Sequence, residues 1–152
     1  MNSGLHSPRP DSRWLKVGLC CLLLPTLLAP CACRPEHCNT PFGPGGTIDV
    51  TMPDFAALAG VGGSMSIGGI GSLGVHVTRT TYSDFVAFEL ACPADHQVRL
   101  EADPDWGGVI LRCPACSSQF NALDGTPFNG SATPCPLYQY STAFDGRILT
   151  IY

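Results

Sequence analysis

The sequence predicts an all-β domain, an antiparallel sandwich or meander of short strands that carries two metal-type loops. Three observations lead there. From about residue 47 the apolar runs are short and alternate with polar positions, the period of a half-buried strand. The chain holds 17 glycines and 14 prolines, spaced too densely after Gly60 for a long helix. Asp124-Gly125 and Asp145-Gly146 are two-residue hairpin signals between β-forming segments.

The chain opens differently. Arg9, Arg13 and Lys16 stand against the single acid Asp11, and an apolar stretch runs from Val17 to about Leu28. That is the charge and length of a secretory leader, too short to span a bilayer comfortably and interrupted by Pro25. It ends in Leu27-Leu28-Ala29-Pro30-Cys31-Ala32-Cys33, which resembles the lipobox of bacterial lipoproteins. Residues 1–32 are therefore expected to be a signal peptide and Cys33 the lipidated residue. Cys31 is the other register, and plain cleavage is the alternative. The mature protein would be exported and held at the cell envelope, periplasmic or on the outer face, by its acyl chains.

Residues 33–46 are rich in proline and glycine and read as a tether, leaving 47–152 as the domain. From Cys33 onward five Lys and Arg face eleven Asp and Glu, a net charge of −6. With no basic patch, nucleic-acid binding is excluded. About 120 residues suffice for one domain with one modest core.

Within the domain, Thr47 to Met52 alternates as a strand. Asp54 to Gly60 is expected to form one helical turn, capped by Asp54 and stopped by Gly60. The glycine-dense run from Gly60 to Gly74 lacks the Lys-Ser/Thr and the helix of a phosphate-cradling loop, and reads as tight turns. Val75–Thr80 and Phe85–Leu90 form a predicted hairpin, and Gln97–Ala102 and Val109–Arg112 flank a turn-rich connection. His37 and His76 have no partner at useful spacing and are expected at the surface.

Chemistry concentrates in two loops. One strand run leads into Cys92-Pro-Ala-Asp-His96 and another into Cys113-Pro-Ala-Cys116-Ser-Ser-Gln-Phe120. Two Cys-Pro turns at the ends of strands can bring thiolates to one point, and sulfur with imidazole suits zinc or an iron–sulfur cluster while disfavouring hard cations. Cys92, His96, Cys113 and Cys116 are the candidate ligands. Cys113 and Cys116 could instead be a redox pair, but such pairs sit where a strand feeds a helix, and a strand follows here. No nucleophile–base arrangement appears, so no catalytic centre is expected.

The second half resembles the Rieske iron–sulfur family, in which one loop reads Cys-x-His and a later one Cys-Pro-x-His-Gly-Ser-x-Phe. Cys113-Pro114-x-Cys116-Ser117-Ser118-x-Phe120 matches the second loop, Asp124-Gly125 the following hairpin, and Gly130 to Leu137 the proline loop that covers the cluster, with one extra residue. The resemblance implies a two-iron, two-sulfur (2Fe-2S) cluster passing single electrons to an unknown redox or envelope partner. It implies that Ser118 donates a hydrogen bond to a cluster sulfur. The chain departs from the pattern at Ala94 and Cys116, where the two histidines belong, and at Ser117, where glycine is usual. A cluster with added thiolate would be harder to reduce than a Rieske centre. The alternatives are a structural or binding protein with a Cys₃His zinc site, or disulfides and no metal. Parity adds one inference. Setting aside Cys33 and the three loop cysteines leaves Cys38 and Cys135, an expected disulfide worth ~3–4 kcal/mol. Cys135 could otherwise serve as fourth ligand.

Overall fold

The computed structural model describes residues 38–152; the expected signal peptide, the two cysteines considered for lipidation, Cys31 and Cys33, and His37 lie outside them. Among these residues ten short strands form three antiparallel sheets, so the all-β antiparallel reading holds. The first sheet joins β1 (Gly46–Asp49), β10 (Ile148–Ile151) and β9 (Thr142–Phe144), with Thr47 opposite Thr150. The second orders β2 (Ser64–Ile67), β3 (Val75–Arg79), β4 (Phe85–Glu89) and β8 (Gln139–Tyr140). The third joins β5 (Glu101–Ala102), β6 (Ile110–Arg112) and β7 (Gln119–Asn121).

Strand β4 explains how these stack. Phe85 and Ala87 face a core with Val75, Val77, Leu149 and Ile151. Phe88, Leu90 and their neighbour Cys92 face a second core with Leu100, Leu111, Phe120 and Leu137. Alternate side chains leave opposite faces of a strand, so the four-stranded sheet is the middle layer, packed on both sides. The site belongs to the second core.

That layering corrects the reading of His76. Its strand alternates Val75-His76-Val77-Thr78, as a half-exposed strand would, yet His76 is 1% exposed and Thr78 2%. Their face is turned to the third sheet rather than to water. His76 Nδ1 lies 3.0 Å from Ser66 Oγ, while its Nε2 has no partner.

Two other local expectations shift. The turn after β1 is a 3-10 helix over Pro53–Leu58 whose N-cap is Met52, with proline rather than Asp54 setting its start. Arg79 closes its far end, donating to the carbonyls of Leu58 and Ala59 at 3.2 and 2.9 Å. The glycine run also contains strand β2, registered against β3 with Met65 opposite Val77.

The same run cradles an anion after all, and the anion is the protein's own. Glu89, fully buried at the end of β4, accepts from the backbone N–H of Ser72 at 2.7 Å and of Leu73 at 3.0 Å. It also accepts from Ala91 N–H at 3.0 Å and from the Tyr140 hydroxyl at 2.7 Å. Gly71 permits the approach: its φ is +77°, and a Cβ there would stand 2.7 Å from Glu89 Oε2.

Candidate metal centre

Two loops of similar construction present the thiols. β4 runs on through a bridge between Ala91 and Arg99, and the first loop closes where Cys92 N–H donates to Val98 O at 2.9 Å. The second joins β6 to β7, and closes where Cys113 N–H donates to Ser118 O at 2.8 Å and Ser117 N–H to Cys113 O at 2.9 Å. The tightness of this turn places Ser117 at φ +59°, a left-handed backbone that glycine would adopt without cost.

The sulfurs of Cys92, Cys113 and Cys116 all lie within 4.8 Å of one another, and none is in a disulfide. Cys92 and Cys116 are 3.7 Å apart. Cys92 and Cys113 are fully buried among Leu90, Leu100, Leu111 and Phe120, whereas Cys116 is partly exposed. A cluster of three thiols with this spacing could hold a metal ion.

The loops also supply hydrogen-bond donors to the sulfurs. Burial pushes the Cys92 thiol up to about 12, opposed by the backbone N–H groups of Asp95 and Ala94. Burial opposes ionisation of Cys116 too, yet Ser118, through its hydroxyl and its backbone N–H, brings that thiol below its ordinary range. Ser118 Oγ is 3.1 Å from Cys116 Sγ and accepts from Ala132 N–H at 2.8 Å. That leaves its proton free to donate to an ionised Cys116. Ser118 is itself fully buried.

His96 does not join the thiols. It is exposed in the turn that Asp95 makes, where Val98 N–H donates to Asp95 O at 3.1 Å, and it lies outside the three-sulfur group. Cys135 is not part of the three-sulfur group either: it is bonded to Cys38, with a Cα–Cα separation of 5.3 Å across 97 residues of sequence. The segment bearing Cys135 covers the second loop, through Ala132 on Ser118 and through the Ser131 hydroxyl, which donates to Gln119 O at 3.0 Å.

A Rieske-type cluster asks for two thiolates on one iron and two imidazoles on the other. Among the described residues, three thiols and no imidazole assemble, so that ligand set does not fit.

Sequence reasoning missed Glu89, whose bond to Ala91 N–H holds the chain one residue before Cys92. The available signal was a lone acid inside the apolar run Phe85 to Cys92.

No family model matches the chain, and no curated protein matches it. Among solved structures, the chain is similar to one from the complex of reduced oxygenase and oxidized ferredoxin in carbazole 1,9a-dioxygenase. The identity is 21%, the TM-score 0.38, and the match covers 59% of this chain and 81% of that one.

Proposed function

We propose that this chain is an exported, envelope-tethered metal-binding domain of Rieske-like organisation, whose metal is held by Cys92, Cys113 and Cys116. One observation carries the reading: three thiols from two separately built loops converge within 4.8 Å, unbonded to each other. Thiols left that close in an oxidising compartment would pair unless a metal occupied them. When bound, the metal supplies a soft cationic centre for the three thiolates. Ala94, Asp95 and Ser118 do the protein's share, directing N–H and O–H donors at two of the sulfurs to stabilise their negative charge.

Export is supported by the leader and by the Cys38–Cys135 disulfide, a bond that persists outside the reducing cytosol. Cys33 is the proposed anchor. Membrane fractionation checks it: the wild type should sediment with membranes and a Cys33→Ser protein should become soluble. Acyl label on Cys31 would shift the anchor to that residue.

The second reading is a 2Fe-2S cluster passing single electrons to an envelope partner, favoured by the buried Ser118 hydroxyl beside Cys116 Sγ. Metal analysis with visible absorption separates the two on anaerobically purified protein. A stoichiometric metal lost in Cys113→Ser is expected. Strong visible colour that bleaches on reduction would favour the second reading. Metal-free protein with a Cys92–Cys116 disulfide would overturn both.

A further inference from the structure

Resting on the reading of the thiol cluster as a metal centre, we infer that it takes one divalent thiophilic ion of the zinc class, with a fourth coordination position left open beside Cys116 for a small external ligand. Spacing argues for one ion. Sulfurs each bound ~2.3 Å from a single tetrahedral ion stand ~3.8 Å from one another. Cys92 and Cys116 are 3.7 Å apart, and all three sulfurs lie within 4.8 Å. In a two-iron cluster the third thiolate must bind the second iron, and the intervening iron–sulfide core sets it roughly 5.5 Å or more from the first two. Three thiolates this close fit around one metal ion and not across two.

Ligand supply argues for the open position. Among the described residues, no fourth His, Cys, Asp or Glu joins the three sulfurs. His96 is exposed outside the group, and Cys135 is committed to Cys38. Closed structural zinc sites have four protein ligands, whereas three protein ligands leave a place for water or a small molecule. Since Cys92 and Cys113 are buried and Cys116 is partly exposed, the opening lies on the Cys116 side.

Charge argues for a divalent ion. Three thiolates around a monovalent ion would leave two negative charges against Leu90, Leu100 and Leu111, where burial makes each unpaired charge costly. Around a divalent ion one remains, and the donors from Ala94, Asp95 and Ser118 are directed at it. The external ligand is then a neutral nitrogen or sulfur donor, since an anionic one would restore the second charge.

Cobalt(II), added alone to the mature full-length protein with its disulfide intact, tests this, with imidazole as the external ligand. One cobalt per chain is expected, with sulfur-to-metal absorption and tetrahedral d–d bands that shift as imidazole is added. His96→Ala should bind cobalt within twofold of wild type, and Cys116→Ser should bind it more than 100-fold more weakly. Bands indifferent to imidazole, or a tenfold loss in His96→Ala, would show that the protein closes the site and would overturn the inference. Purification with two irons and acid-labile sulfide would overturn it too, leaving the metal-centre reading intact. Failure of the protein to bind cobalt, zinc or iron, with Cys92, Cys113 and Cys116 as free thiols and the Cys38–Cys135 bond intact, would refute that reading itself.

Discussion

Glu89→Gln removes charge and one acceptor from the most heavily hydrogen-bonded buried group in the described structure while keeping its shape. Glu89 Oε2 takes the Ser72 N–H and the Tyr140 hydroxyl, and Oε1 takes the N–H groups of Leu73 and Ala91. A glutamine keeps one oxygen and turns an amide nitrogen toward the other pair. Tyr140 can rotate its hydroxyl to accept from that nitrogen, but a backbone N–H cannot, and is left orphaned at ~1–3 kcal/mol. The bonds that remain lose charge assistance, which brings the expected cost to about 3 kcal/mol. For a domain of this size that is roughly 12 °C in Tm. Tyr140→Phe should cost about 2 kcal/mol, since its oxygen also accepts from Gly43 N–H at 2.8 Å. The two changes remove a shared bond, so the double variant should fall short of the sum by ~1 kcal/mol or more. Urea denaturation of the four proteins measures all of this. A Glu89→Gln protein within ~0.5 kcal/mol of wild type would refute the claim that this network holds the glycine-rich segment and the base of the first loop.

Further outcomes follow from other parts of the molecule. Replacing both Cys38 and Cys135 by alanine should cost ~3–5 kcal/mol, because the loop they close spans 97 residues, and non-reducing peptide mapping of the wild type should recover the linked pair. Ser117→Gly should stabilise by about 0.5–1 kcal/mol by relieving its left-handed backbone; a loss on denaturation would mean that the Ser117 side chain contributes more than its strain costs. Burial holds His76 down to about 4, against a smaller opposing pull from the Gly108 backbone and with the Arg99 charge adding to the depression. The unfolded chain therefore takes up this proton first as pH falls. Stability should be full above about 6.5 and decline by up to about 3 kcal/mol as pH drops to about 4, and this decline should vanish in His76→Leu. Arg147, with help from Thr51, holds Asp49 down to about 2, so its contribution should be present above about pH 4 and fade as pH falls to about 2, a step absent in Asp49→Asn.

What could be read in the sequence was mostly local. The β3–β4 hairpin was legible because an alternating strand and an apolar run flank a polar turn, and β9–β10 because Asp145-Gly146 punctuates it. The two Cys-Pro turns announced the thiols, since each follows a strand and each closes on its own backbone. Strand β2 stayed hidden in the glycine run because Ser64-Met-Ser-Ile67 offers only two apolar residues, and its partner strand defines it. β5 came out shorter than its apolar pattern, over Glu101–Ala102 alone, with Arg99 in an isolated bridge to Ala91. His76 was misread because alternation tells which residues share a face, not whether water or another sheet covers that face. The position of His96 depended on where the first loop closed, a backbone bond at Val98 that residue spacing does not disclose.

Native mass spectrometry of the protein, purified without air and without added metal, decides what the three thiols hold, because one spectrum separates the single-metal, cluster and disulfide states. One zinc-class ion per chain is expected, absent from Cys116→Ser, in a protein that keeps its Cys38–Cys135 bond. A chain carrying two irons and two sulfides, or a metal-free chain lighter by the two hydrogens of a second disulfide among Cys92, Cys113 and Cys116, would contradict it.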